Sequence, residues 1–583
     1  MQSFWDALNA ASGIIWHDWV LYIVLGTGVL FTLWSGFGQY RALTHGSAVI
    51  RGKYDEKDDP GAINHFQALS AALSATVGLG NIGGVALAVA AGGPGAIFWM
   101  WIVGLLGMSL KMTEVTLSML DRNTDDPDNP HGGPMWVAQK GMGRLGLKPL
   151  GTIIGGIFVI TLLVSAFTGG NMFQAWSVAD VTQKEFGVPG QVSGLVMTVL
   201  VAMVIIGGVK RIGAVAGRLV PLMCGIYLLA ALYVIVMNIG QIPAMFGLIF
   251  KHAFAPTEAT GAFIGGTMGY AFAMGMKRAL FSSEAGQGSS PIAHSAAKTG
   301  EPVREGVVAG LEPFIDTIVV CTLTALVLLS TGAWNREAEA NFAADNPIAV
   351  VQAGGQENTW TLSNSVLPER TVEAKRIEGE WGSQPFTVYM VLEVDEEDSN
   401  TGSVTRKITG AAEMQESGEV SVVWGTIESA TRPVLRDNGV HVEYTSASLT
   451  SHAFNRVVPG FGTYLVVLAS WLFAISTMIS WSYYGEQGVV FLFGDKAVLP
   501  YKIVYCGAIL LSTAGFITTL HELDTLTTFG TGVMLWANIP IMLIFGATAM
   551  GAYHSYIKKL KAGEFVGHEP ASITDVAEGK DVE

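Results

Sequence analysis

Apolar runs of about 18 residues or longer recur along this chain from Val20 to Met550. Each is long enough to cross a hydrocarbon core of ~30 Å at 1.5 Å per residue. Only 14% of the 583 residues are charged, against roughly 25% in soluble chains, and mean hydropathy is +0.43. Lipid is therefore the solvent for most of the chain. Expected spans cover 19–38, 66–90, 95–118, 150–176, 190–208, 216–238, 261–283, 305–331, 460–482, 500–518 and 526–550, eleven in all. The first run lacks a basic leader and is followed by Arg41 rather than a small-residue cleavage site, so it reads as a retained helix. Cys224, Cys321 and Cys506 lie inside apolar runs without the spacing for disulfides or a thiolate metal site.

Charge sets the orientation. Threading the spans puts Arg41, Lys53, Lys140, Arg144, Lys210, Arg211, Arg304, Lys496 and Lys558 on one side, while the other side's short loops hold little beyond Lys184 and Lys251. The positive-inside rule makes the first side cytoplasmic, with the N-terminus outside and the C-terminus inside. Residues 1–65 then form an N-terminal helix and cytoplasmic loop, 66–333 seven core helices, 459–552 three more, and 553–583 a cytoplasmic tail. Between them, hydropathy collapses over 334–458, where nineteen acidic residues face nine basic ones, a net of −10 out of the chain's −15. Alternating stretches such as 386–394 and 420–424, separated by the turn-rich 395–402, predict a β-rich extracytoplasmic insertion. What it binds is open, a solvated acidic surface with no partner being the simplest reading.

Three segments carry chemistry. The first, Ser74-Ala-Thr-Val-Gly-Leu-Gly-Asn81-Ile-Gly-Gly84, places four glycines and an asparagine inside a span. Broken backbone at that depth is tolerable only where it lines a cavity. There, free N–H groups face a carboxylate and free carbonyls face a cation. The second, Gly269 to Gly286, predicts a matching break near Gly275, with Lys277, Arg278 and Glu284 at the cytoplasmic mouth. The third, Phe473 to Glu486, sets the hydroxyls of Ser476, Thr477 and Ser480 beside Trp481. Thr477 and Trp481, four apart, face one direction.

Gly92-Gly-Pro-Gly-Ala-Ile-Phe-Trp-Met-Trp101 resembles the signature of the alanine/glycine:cation symporter family, and Gly170 to Gln174, Lys277 to Gly286 and Phe473 to Glu486 are similar to its neighbouring motifs. The resemblance covers the membrane part and not 334–458. It implies a leucine-transporter-type fold, all-α, of two inverted five-helix repeats preceded by one extra helix. Core helices one, six and eight would be 66–90, 261–283 and 460–482.

It also implies the site. The substrate carboxylate would lie near Leu79 and Gly80, with Gln174, Gly275, Met276, Thr477 and Trp481 around the amino acid. Na⁺, the coupling ion, would take the carbonyls of Ser74 and Val77 and the hydroxyls of Ser476 and Thr477. Asn81 would be either a ligand of a second ion site or a stabiliser of the helix break. Many relatives carry Thr where this chain has Leu79, so a hydroxyl contact to substrate is missing here.

The implied function is sodium-coupled symport of a small neutral amino acid, alanine or glycine, by alternating access across the bacterial inner membrane. Proton coupling and a glutamine-type substrate remain alternatives. A receptor anchored by these helices would need only one span. An enzyme would need a motif such as HExxH, GxSxG, a P-loop or a Cys/His cluster, none of which is in the sequence. Neither an organic cofactor nor nucleic acid is expected.

Overall fold

A computed structural model describes residues 2–56, 58–343, 347–355, 357–370, 381, 386–397, 404–444, 446–515, 521–569 and 572–579. The α-helices of five residues or more, in order, are α1 Gln2–Ile15, α2 Asp18–Trp34, α3 His65–Thr76, α4 Val85–Gly92, α5 Gly95–Asp121, α6 Pro134–Arg144 and α7 Lys148–Phe167. They continue with α8 Phe173–Phe186, α9 Gly190–Ile205, α10 Gly208–Met237, α11 Ile242–Ala253, α12 Met268–Ser283, α13 Ser290–His294, α14 Pro302–Ala309 and α15 Cys321–Ser330. After the insertion come α16 Ala447–Asn455, α17 Phe461–Phe493, α18 Val498–Thr513, α19 His521–Ala562 and α20 Ile573–Glu578.

Among the described residues, seven continuous helical stretches are long and apolar enough to cross a membrane: Ala7–Trp34, Gly95–Asp121, Lys148–Phe186, Gly208–Met237, Pro302–Ser330, Phe461–Phe493 and Leu523–Ala562. An eighth, His65–Thr76 with Gly80–Gly92, is bent by 53° at a short break. The remaining three of the eleven expected spans are helices of 16 residues, α9, α12 and α18. At 1.5 Å per residue each measures roughly 24 Å, short of a full hydrocarbon core. Residues 516–518 of the expected 500–518 span lie outside the described residues.

The span expected over 261–283 starts late for a local reason. Gly261 (φ 53°) and Gly265 (φ 89°) adopt left-handed backbone, and Thr257 pairs with Gly266 and Thr260 with Phe263 as short bridges. Helix begins only once Thr267 can cap it, its side chain accepting from Tyr270 N.

Among the described residues, nine strands are present, all within 340–442. The main sheet runs β1 (Ala340–Asn341), β9 (Gly439–Val442), β4 (Phe386–Glu393), β5 (Thr405–Met414), β6 (Val420–Trp424), with β8 (Val434–Leu435) on β4. A second sheet joins β2 (Val350–Gln352), β3 (Thr359–Leu362) and β7 (Ile427–Glu428). The register puts Val388 opposite Gly410, and Val388, Met390, Leu392, Ile408, Val422 and Val440 form a core of their own. The strands expected at 386–394 and 420–424 are there; most of the turn expected at 395–402 lies outside the described residues.

The insertion is strapped to the segment leading into α12. Tyr389 Oη donates to the Ala262 carbonyl at 2.8 Å, Arg436 Nη2 to the Gly261 carbonyl at 2.5 Å, and Ala262 N to the Arg336 carbonyl at 2.8 Å. Its expected C-terminal boundary needs correction. Thr450 Oγ1 of α16 donates to the Ile82 carbonyl at 2.9 Å, and a Cβ on Gly83 would overlap the Ser446 hydroxyl. Residues 446–458 thus belong to the helical body, packed on the broken helix.

Candidate functional site

Helix α3 ends because its sequence lets the next backbone donor find a better partner than the helix. In a continuous helix the Ser74 carbonyl would accept from Gly78 N, four residues on. Here Gly78 N donates instead to Asn81 Oδ1 at 2.8 Å, while Val77 takes an extended ψ of 100°. The chain resumes as a π-helical turn, Gly80–Gly84, before α4. Leu79 and Gly80 head that turn, where N–H groups lack intrahelical acceptors. Gly80 is exposed, and nothing would lie within 4 Å of a Cβ there.

The freed Ser74 carbonyl is taken up by α17. Ser476 Oγ and Thr477 Oγ1 each donate to it at 3.2 Å, and Ser74 Oγ returns a bond of 2.7 Å to the Ser476 carbonyl. Ser74, Val77, Ser476 and Thr477 are all buried. Of the expected cation set, Ser74, Ser476 and Thr477 thus meet at the break, and Val77 is the residue that caps α3.

Gln174 and Trp481 converge on a second π-helical turn, Thr168–Met172. Gln174 Nε2 donates to the Gly169 carbonyl at 3.1 Å, leaving its buried Oε1 without a partner, and a Cβ on Gly170 would overlap the Trp481 indole. Trp481 stands one turn beyond Thr477 on α17, so the expected amino-acid contacts adjoin the expected ion contacts.

Gly275 and Met276 are not at a break. Helix α12 runs unbroken from Met268 to Ser283, and it ends at Glu284, held left-handed at φ 51°. Gly275 is there for packing, because a Cβ would overlap the Ala96 carbonyl of α5. Met276 is wholly buried in the apolar core. Nor does Glu284 lie at a mouth. It is 5% exposed and accepts from Ser289 Oγ in the interior.

Asn81 bonds across the break and has a partner that sequence reasoning missed. Its Nδ2 donates to Asp316 Oδ1 and to Ser282 Oγ at 3.1 Å. Asp316, fully buried, also accepts from Ser282 Oγ at 2.6 Å and Thr317 Oγ1 at 2.8 Å. It sits in another π-helical turn, Phe314–Val320. A lone acid in the apolar run 313–330 was the available signal, since intramembrane charge is costly unless used.

A bent, interrupted helix whose released carbonyl faces hydroxyls of a long neighbour, inside a bundle of membrane-length helices, is an arrangement that membrane transporters use. A family model described as the sodium:alanine symporter family matches residues 1–364 and 422–569. The chain is 44% identical over 331 residues to "Sodium/alanine symporter AgcS" of Methanococcus maripaludis, covering 57% of this chain and 72% of that one. It is 30% identical over 567 residues to "Putative sodium/proton-dependent alanine carrier protein YrbD" of Bacillus subtilis, covering 97% and 94%. A solved mutant of the Eremococcus coleocola manganese transporter overlays 90% of this chain and 95% of that one at 12% identity and a TM-score of 0.45, too slight to bear on the site. The chain belongs to the sodium:alanine symporter family, and its function is sodium-coupled amino-acid symport. Because the match includes 334–364 and 422–458, the family resemblance extends further into the insertion than its motifs alone indicate, leaving only 365–421 outside.

Proposed function

We propose that this protein carries a small neutral amino acid, alanine or glycine, into the cell together with Na⁺ by alternating access. The observation that carries the reading is the Ser74 carbonyl, released by the helix break and met by Ser476 and Thr477. Na⁺ bound to the Ser74 and Val77 carbonyls and the two hydroxyls would tie α3 to α17. That fixes Leu79 and Gly80 where their N–H groups receive a carboxylate, with Gln174 and Trp481 enclosing the side chain. Coupling is then linkage, since each ligand stabilises the geometry the other needs. The ten core helices would form two inverted repeats of five after one additional helix, in the bacterial plasma membrane, with the N-terminus and the β-rich insertion outside and the C-terminus inside.

The test is counterflow in proteoliposomes together with alanine-dependent uptake of radiolabelled Na⁺. A carrier exchanges labelled for unlabelled alanine without net flux, and symport makes Na⁺ entry depend on alanine. Na⁺ entry that ignores every neutral amino acid offered would overturn the reading.

A further inference from the structure

Behind the helix break lies a line of buried side chains that the transport cycle above leaves unused. His65 Nδ1 meets Glu305 Oε2, His294 Nδ1 meets Glu305 Oε1 at 2.5 Å, and His294 Nε2 meets Glu312 Oε1. All four residues are at most 1% exposed. Glu312 Oε2 stands 3.3 Å from Lys111 Nζ, which stands 3.6 Å from Glu114 Oε1. The line joins α3, α13, α14 and α5.

Counting hydrogens shows what it holds. Each of the three nitrogen–oxygen contacts needs one hydrogen between its heavy atoms. A neutral imidazole has one N–H, so two neutral histidines supply two contacts and leave the third with lone pairs facing each other. One additional proton must reside on the line, either on His294 or on a carboxyl it faces. The surroundings favour it, because Glu114, Glu284, Glu305, Glu312 and Asp316 are all buried, and Lys111 pairs with Glu114 and Glu312 alone among them in the described contacts. Tyr484 lies nearby as a further titratable group. Among the described residues no three His, Cys, Asp or Glu side chains converge to hold a metal ion. Donors strung in a line suit a proton instead.

Access is from one end. His65 Nε2, buried and without a hydrogen-bond partner, points toward Asp55 Oδ1 at 3.8 Å, and the Asp55 side chain is 26% exposed. Burial raises the Asp55 carboxyl above its ordinary range, opposed by His65 and Arg304. Asp59 and Arg304, 3.8 Å apart, also stand at this end, with Arg122 and with His45, which interacts with His65, Arg304, Arg41 and Lys53.

We propose that His65, Glu305, His294 and Glu312 form a proton-binding latch. One exchangeable proton, taken up and released through Asp55, holds α3 to α13 and α14, and its loss lets them part. His65 lies on α3 nine residues before Ser74, so the latch acts on the same broken helix as the cation set. Its functional arm rests on the transport reading; its structural arm does not.

The structural arm measures melting temperature against pH, from about 6 to about 9, for the purified full chain in detergent. The folded state keeps a proton that the unfolded chain releases, so stability is lost as pH rises through the site's titration. Glu305→Gln and Glu312→Gln should flatten that fall; should Glu305→Gln not fold, Glu312→Gln, which leaves both Glu305 contacts in place, carries the comparison. The functional arm measures alanine counterflow in equal Na⁺, where wild type should vary with a one-proton slope, up to about tenfold per pH unit, and the variants should not. Superimposable pH profiles of wild type and variants, in either arm, overturn the latch. Absence of alanine counterflow at every pH overturns the substrate reading instead and leaves the melting arm to decide the latch.

Discussion

Thr477 does two things with one oxygen: it satisfies the Ser74 carbonyl and, in the proposed cycle, ligates Na⁺. Removing one such oxygen typically costs ~1–3 kcal/mol, or roughly tenfold to a hundredfold in an equilibrium constant. Thr477→Ala should raise half-maximal Na⁺ by about that factor and lower apparent alanine affinity only at limiting Na⁺, by linkage. Thr477→Ser, which keeps the oxygen, should be much milder. Alanine uptake against Na⁺ concentration checks both, and equal defects would remove the hydroxyl from the ion site. Trp481, packed on Gly170, would in the proposed cycle contact the amino acid rather than the ion. Trp481→Ala should admit bulkier amino acids at the expense of alanine, and Gln174→Ala should also change selectivity, because its Nε2 holds the same turn at Gly169 while its buried Oε1 is unpaired. Competition by a panel of neutral amino acids reads this out, and unchanged ranking in both variants would exclude them from the pocket.

At the scale of elements, the interruption after α3 was legible because all of its causes are local. Four glycines weaken the helix, and Asn81 sits three residues from the N–H it captures. The expected twin at Gly275 was not legible, because a glycine that loosens a helix and a glycine that lets two helices touch look identical in one sequence. What separates them is Ala96, nearly 180 residues away in the chain. Gly275→Ala should therefore act as an overpacking mutation, costing ~1–3 kcal/mol by forcing α12 off α5. A lower melting temperature with unaltered Na⁺ dependence is the expected outcome, and a shift in Na⁺ dependence alone would return Gly275 to the site. The latch was legible only in part: Glu305 and Glu312, seven apart, share one face of the continuous stretch Pro302–Ser330, whereas His65 and His294 reach them from elsewhere in the chain.

At the scale of the molecule, the insertion divides into a sheet with its own core over 340–442 and a stretch, 446–458, that lies on the broken helix. We expect the sheet to be dispensable for transport and the stretch not to be. A Gly/Ser linker replacing 343–442 should leave alanine counterflow in place, whereas one replacing 334–458 should abolish it by stripping Ser446 and Thr450 from the turn at Ile82 and Gly83. Correct membrane insertion without counterflow in the shorter replacement would make the sheet part of the mechanism. The paired bonds between Ser74 and Ser476 also impose an order of manufacture. Their partners are 402 residues apart, and at about 5–20 residues per second a ribosome needs roughly 20–80 s to pass from one to the other. For that interval α3 is already made while the oxygens that will answer its released carbonyl do not yet exist. The nascent chain must keep its future ion site provisional, hydrated or held by other helices, until α17 arrives to finish it.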